Sequence, residues 1–447
     1  MIYKEQIRIV SYLIIIACFT LLLASSAEPY TQSISHIPKL YKGNAFLLVT
    51  DLSGMGPSVA IKFHDDYGRE VSSINKLLRP KGKLQIAVAD HLKASGCIAV
   101  ESSSDLVLAE YVLLNRDQTI SIIPLQSVSG NERYFINCFR MPFCQESYIT
   151  LSDPKGNGPM VQMEFYAKTG ELTKIIRKML RPYGILILKV SDHIDKDIQG
   201  KVSVRSFSGG ISVYGVNICN KKPVFALPSN ISGRELLIAG STVASEATND
   251  LVFADVSAKG TSVKVSMLDE YGNLVSETQK SLLPNGTIAM NLMDELGKLG
   301  DGTLKIKGAS EILADYWERN IKTGDCFFSN AIINPALDKP RFAGNLMSVS
   351  YFVPNENIEF VLSILNIGRK PIIAELEFYS LDGEKIGSSK ISLQPDKSIK
   401  ESVNRFFAKS HLGTIIVKDA NSSLVITSSI QDINNGRLLG KTYAISR

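Results

Sequence analysis

The chain has 447 residues, more than a single hydrophobic core usually serves, so two to four domains are expected. Apolar residues make up 45% and charged residues 21%, an ordinary globular balance. The net charge of +5 is spread along the whole length, with no concentrated basic stripe, which excludes the electrostatic footprint of a nucleic-acid binder.

The N-terminus opens with Lys4 and Arg8, then an apolar run from Ile9 to Ala24, then "ASSAEP". A charged start, an apolar run and small residues at Ser25 and Ala27 read as a signal peptide over 1–27, cut before Glu28. The run is shorter than the ~20 residues that a spanning helix needs. Two alternatives are an uncleaved membrane anchor and a lipid at Cys18, where "IIAC" resembles a lipobox. Apolar "FTLLLA" after Cys18 argues against the lipid. The chain is therefore expected outside the cytoplasm, secreted or in the cell envelope. Any membrane contact would run through the N-terminal segment if it stays uncleaved.

"VAIKFHDDYGREVSSINKLLRP" at 59–80 is followed by gap-free copies at 161–182, 263–284 and 374–395. Each opens with apolar residues at every second position, such as Val59, Ile61 and Phe63, the mark of a half-buried strand. Gly68, Gly170, Gly272 and Gly383 follow at one fixed offset, where a bulged hairpin turn requires positive φ. The nearby acids, among them Asp65, Asp269 and Asp382, read as turn chemistry in preference to calcium ligands, because the second copy offers only Lys168 and Thr169 there. The hairpin's second strand ends at Pro80, Pro182, Pro284 and Pro395, each two residues after a leucine. A third alternating strand (Leu84, Ile86, Val88 in the first copy) and a short polar or helical turn come next. A closing hairpin then completes each copy. Upstream of each opening strand an apolar stretch ends in Asp51, Asp153, Asp255 or Asn366, short side chains that bond the local backbone where a strand ends.

Seven or eight short strands in about 100 residues are the pattern of an antiparallel β-sandwich. The fold expected is all-β: four tandem sandwich repeats over 28–130, 131–232, 233–339 and 340–447. Short proline-containing joints between them predict a semi-rigid rod. The F-x(4)-G hairpin, the leucine–x–proline strand end and the closing "SSSDLVLAEYVLLN" or "ASEILADYWERN" pair resemble tandem immunoglobulin-like or fibronectin-type-III-like modules of secreted bacterial surface proteins. That resemblance implies a fold; function must come from particular sites.

Cleavage would leave Cys97, Cys138, Cys144, Cys219 and Cys326 in an oxidising compartment. One disulfide within Cys138, Cys144 and Cys219 is expected, the alternative being small buried apolar residues. No Cys-x-x-Cys pair suggests zinc, and no catalytic elbow, metalloprotease helix or phosphate loop is present. The equivalent pairs Asp90–His91 and Asp192–His193 read as polar turns, so neither a catalytic nor a cofactor or metal residue is expected. Tyr316 and Trp317, which include the chain's single tryptophan, form one candidate aromatic platform. The alternative is that one packs in a core and the other covers an edge. The function expected is that of a non-catalytic surface or envelope protein, a spacer, adhesive or protein-binding rod. The alternative is a secreted carbohydrate-binding accessory protein. Its partner would be a protein or glycan of the envelope, not nucleic acid.

Overall fold

The computed structural model describes residues 29–40, 43–128, 133–137, 144–193, 199–226, 233–241, 247–297, 302–330, 332–333, 346–353, 355–407, 411–418, 424–435, 437–443 and 445–446. The expected leader 1–27, Cys18, Cys138 and the joints near 130, 232 and 339 lie outside these residues.

The protein is all-β, built from antiparallel sheets that follow the sequence repeat. In the first unit, the strands Glu70–Leu77, Ser58–Asp65, Gly96–Ser102, Tyr30–His36 and Gln126–Ser127 form one sheet in that order. Lys83–Ala87, Gly43–Asp51, Val107–Asn115 and Ile120–Pro124 form a second. The alternating positions meet between them: Ile61, Phe63, Ile98 and Val100 from one sheet pack on Leu47, Val49, Ala109 and Tyr111 from the other. The second and fourth units repeat this pairing. In the third, the strand Gly302–Asn320 runs through both sheets and merges them into one. Val88 leaves its strand one step earlier than its alternation predicts and starts a 3-10 turn, Val88–Asp90. The equivalent turn in the third unit is a short helix, Leu292–Leu296, capped by the Asn291 side chain.

Gly68, Gly170, Gly272 and Gly383 have φ between 83° and 87°, each beside a bulge in its hairpin. Their turns make the joints between units. A Cβ on Gly68 would overlap the carbonyl oxygen of Pro182, and one on Gly170 that of Pro284. Gly272 abuts Asp396 in the same way, and Gly383 abuts Pro80. Each turn is thus seated on the proline loop of the next unit, and the fourth is seated on the first. The residues after those prolines, Lys81, Tyr183, Asn285 and Asp396, all hold the left-handed conformation, with φ of 57–58°. Backbone hydrogen bonds repeat at three of the joints: Thr287 N to Lys168 O at 2.9 Å, Ser398 N to Glu270 O at 3.1 Å, and Lys83 N to Leu381 O at 2.9 Å.

The four units therefore form a closed ring, which corrects the rod expected from the short joints. A short, proline-bearing joint limits bending but does not set its direction. Direction comes from the faces that meet, and these are apolar at every joint. Tyr214, Val216 and Phe225 of unit two join the core of unit one; Val252 and Trp317 of unit three join that of unit two. Leu237 of unit three packs with Leu365, Ile367 and Val425 of unit four. Leu48, Val112, Ile120 and Ile122 of unit one join the core of unit four, with Val349, Tyr351 and Phe360. The closing joint also buries the Lys83 amino group, which donates to Ser350 Oγ at 2.6 Å and Gly413 O at 2.8 Å, while Ser350 bonds Glu110. Burial pulls the Lys83 amine down to about 8 against the attraction of Glu110, and burial raises the Glu110 carboxyl.

Gly383→Val combines an unfavourable φ with a collision at the closing joint, so it should open the ring there while leaving the other joints intact. Small-angle scattering is expected to give a compact particle for the parent chain and a longer maximum dimension for the variant. An equally compact variant, or an extended parent, would refute the closure.

Candidate functional site where the four units meet

Each unit ends in a hairpin formed by its last two strands on the second sheet, and the four hairpin tips converge. The tips follow Asn115, Cys219, Asn320 and Asp432. They bring together Asp117, Lys222, Asp325 and Arg437, one residue from each unit. Lys222 bridges Asp117 and Asp325. Arg437 does the same from the other side, with its guanidinium 2.6 Å from Asp325 Oδ2 and 3.3 Å from Asp117 Oδ2. The signs alternate around the junction, so every charge touches two opposite ones. Thr119 donates to Asp117 and Thr323 to Asp325 within their own hairpins, so both carboxylates are also held by their own units.

Asp325 is 1% exposed. Burial alone would favour its neutral form, but hydrogen bonds from Lys222, Thr323 and Arg437 outweigh it and hold the carboxyl below the usual range. Asp117 is likewise lowered, burial being outweighed by bonds from Lys222 and Thr119. Arg437 is raised, its burial outweighed by Asp325. Around this ring of charge, Asn220 donates to Thr323 O at 2.7 Å, Asn355 to Gln118 Oε1 at 3.1 Å, and Lys441 pairs with Glu318 at 2.5 Å. The strands after the tips border a half-open pocket of about 50 Å³, lined by Ile122, Phe225, Phe327 and Lys441, again one unit each. A wider surface cleft of about 410 Å³ lies between the first and fourth units, bordered by Asn44, Asn115, Arg116, Gln118 and Asn355.

Chemically the junction is a lock. Its carboxylates are held ionised by cations that touch them directly, so neither is poised to donate a proton. Among the described residues no group of three or more His, Cys, Asp or Glu is arranged to hold a metal ion.

Tyr316 and Trp317 are not a platform: each is 1% exposed. Trp317 lies in the core of unit two with its ring centroid 5.0 Å from that of Phe328, and the Tyr316 hydroxyl donates to Asn249 at 2.6 Å. Tyr316 packs in the core of its own unit, while Trp317, the next residue on the strand, is covered by unit two rather than by solvent. Cys144 and Cys219 are joined in a disulfide between paired strands, while Cys97 and Cys326 are free thiols. His91 and His193 follow the 3-10 turns Val88–Asp90 and Val190–Asp192, where each backbone N–H closes the turn. His91 also bonds Ser72 at 2.9 Å and stacks on Phe63. Asp65 and Asp269 accept backbone N–H groups from their own turns.

Asp117, Lys222, Asp325 and Arg437 were not singled out from sequence. The gap-free register ends before these hairpins, whose tips differ in length, so the alternating acid–base–acid–base series is visible only when tip is aligned with tip.

No family model and no curated protein matches the chain. Among solved structures, Thermotoga maritima 1070 is similar at 16% identity, over 24% of this chain and 97% of that one, with a TM-score of 0.21. A tetra-tandem repeat from the extending region of a large adhesion protein is similar at 13% identity, over 93% and 98%, with a TM-score of 0.12. Streptomyces avermitilis alpha-L-rhamnosidase is similar at 8%, over 91% and 55%, with a TM-score of 0.15. At such TM-scores none of these likenesses carries an argument.

Asp325→Asn leaves Lys222 and Arg437 facing each other with one carboxylate between them, and should destabilise the protein by about 3 kcal/mol. A carboxyl lowered by folding adds stability that is present above its unfolded pKa and is lost as pH falls through the folded value. The difference between parent and Asp325→Asn in urea midpoint should therefore be full at pH 6 and shrink as pH falls below the ordinary aspartate range. A difference that does not change with pH would show that the charge ring is not what the substitution removes.

Proposed function

We propose that this is an exported, non-catalytic protein of the cell surface or envelope that works as a compact four-unit binding scaffold. The observation that carries this reading is the closed ring, in which every unit uses the same turn and proline loop to hold its neighbour. A catalyst needs one asymmetric cleft with an available acid, base or nucleophile. Here the ionisable groups at the meeting point of the units neutralise one another. A scaffold needs a rigid body and a varied outer surface, and the repeat supplies both: cores alternate alike while outward residues diverge. The sandwich units are of the immunoglobulin-like or fibronectin-type-III-like kind in this reading, and the apolar N-terminus directs export. The partner is a protein or glycan of the envelope. The carbohydrate-binding alternative loses its support with the burial of Trp317 and Tyr316.

Fractionation of cells producing the chain with a C-terminal tag, combined with protease shaving of intact cells, tests the location. The tag is expected in the envelope or medium, and a cytoplasmic pool would overturn the reading. Incubation with a panel of envelope polysaccharides should release no product. Turnover of any of them would return the protein to the enzymes.

A further inference from the structure

In all four units the second strand of the repeat hairpin, Glu70–Leu77, Leu172–Met179, Leu274–Leu282 and Lys385–Leu393, is the edge of its sheet. An edge offers backbone N–H and C=O groups to any chain that can extend alongside it. Natural proteins blunt such edges with lysine, and that explains Lys76 or Lys390 without any partner. The second unit departs from that pattern. On the outward face of its sheet Met160 stands opposite Met179, with Ile175 two positions on from Arg177. Met160 is 43%, Ile175 45% and Met179 74% exposed. The first unit has Ser58, Ser73 and Leu77 at these positions, the third Ser262, Glu277 and Ser281, and the fourth Ile373, Ser388 and Ser392. The other face of the same edge carries Lys174 and Lys178, both exposed, where the first unit has Ser72 and Lys76, the third Ser276 and Lys280, and the fourth Gly387 and Ile391. Lys280 is paired with Glu295. Only in the second unit does the edge combine exposed apolar side chains on the outward face, Ile175 and Met179 on either side of Arg177, with two lysines on the reverse.

We propose that the edge strand Leu172–Met179 of the second unit is a docking site for an extended peptide segment that alternates apolar and acidic residues, added to the sheet as a further strand. Successive side chains of such a segment point to opposite faces. Its apolar set meets Ile175, Met179 and Met160, and its carboxylates meet Lys174 and Lys178 on the reverse. Backbone hydrogen bonds to the open edge supply affinity, and the two faces supply register and selectivity. A lipid surface or an anionic polysaccharide satisfies the lysines but makes no use of the backbone edge, so the peptide is the occupant favoured. The site deepens the reading of this protein as a binding scaffold and rests on it for its purpose. Its test is independent of where the protein resides.

A ten-residue peptide of alternating valine and glutamate is the probe, added to the full chain and read by titration and by amide hydrogen exchange. Binding is expected, with new protection of amides within 172–179 and none within 70–77. The same peptide with lysine in place of glutamate should not bind. Lys174→Glu/Lys178→Glu and, separately, Met179→Glu should each weaken binding about tenfold or more, whereas Lys76→Glu in the first unit should not change it. All these side chains are exposed, and an unchanged melting temperature checks that the variants fold. No added protection on 172–179 would overturn the proposal. So would equal weakening by Lys76→Glu, or displacement of the peptide by phosphatidylglycerol vesicles, which would make the surface a lipid site.

Discussion

The ring depends on a buried side chain at the exit of one strand in each unit. Asp51, Asp153 and Asp255 are fully buried, and each carboxylate gathers backbone N–H groups from the loop that follows: Ser53 and Gly56, Gly156 and Gly158, Ser257 and Gly260. Asp51 and Asp255 also accept from Lys81 and Asn285, residues of the proline loop. One charge thus ties two loops together and shapes the seat for the neighbouring turn. A buried carboxylate is tolerable only when hydrogen bonds replace its water. For Asp255, burial favours the neutral form, but bonds from Ser257, Asn285 and Gly260 more than offset it and keep the carboxyl low. The fourth unit reaches the same end with a neutral amide: Asn366 accepts from Gly368 and donates to Leu393 O and Lys370 O. That exchange keeps the geometry while reversing part of the hydrogen-bond polarity, which is why donors and acceptors in the loop change with it.

From these seats the order of events outward is clear. The seat holds a left-handed residue behind the proline, the neighbouring turn meets its carbonyl, and a glycine is required because any Cβ would occupy the same space. Polar groups decorate the joints differently: His64 stacks on Tyr183, Arg181 lies over Tyr67, Lys397 over Tyr271, and Arg79 pairs with Asp382. The exposed pair Arg79–Asp382 contributes little to stability, whereas His64 is buried beneath Tyr183. What the joints share is apolar packing behind these groups and a common backbone contact, so the decoration can vary from joint to joint.

Much of this was legible in the sequence because it is local. Alternation at Val59, Ile61 and Phe63 and its copies specifies which face is buried. The fixed glycine marks the turn, and a proline marks the end of the strand. Asp51 and its counterparts were also visible, though only as strand exits, because the loop they reach lies some 30 residues on. Closure was not visible. It depends on whether Gly383 reaches Pro80 and whether Leu48 and Val112 meet Val349, and neither spacing nor composition encodes contacts that distant. Trp317 shows the same limit. On a single sandwich its strand position is open to solvent, and only a neighbouring unit turns it into core.

A repeated head-to-tail joint closes only when its rotations sum to a full turn, and here the fourth joint meets the same kind of seat as the other three. With three joints made, the fourth unit still presents a free turn at Gly383 and the first a free seat at Pro80. An open arrangement would also leave Leu48, Val112, Ile120 and Ile122 without their partners and Lys83 and Glu110 without Ser350. Joining the two ends is intramolecular, so it proceeds at an effective concentration set by the intervening units and gives up no independent translational freedom. Once they meet, the four hairpin tips stand close enough for Lys222 and Arg437 to bridge Asp117 and Asp325, an arrangement that no pair of neighbouring units can complete alone. Three of its four ion pairs join consecutive units, and the fourth, Arg437 to Asp117, crosses the closing joint, so the complete charge ring exists only in the closed state.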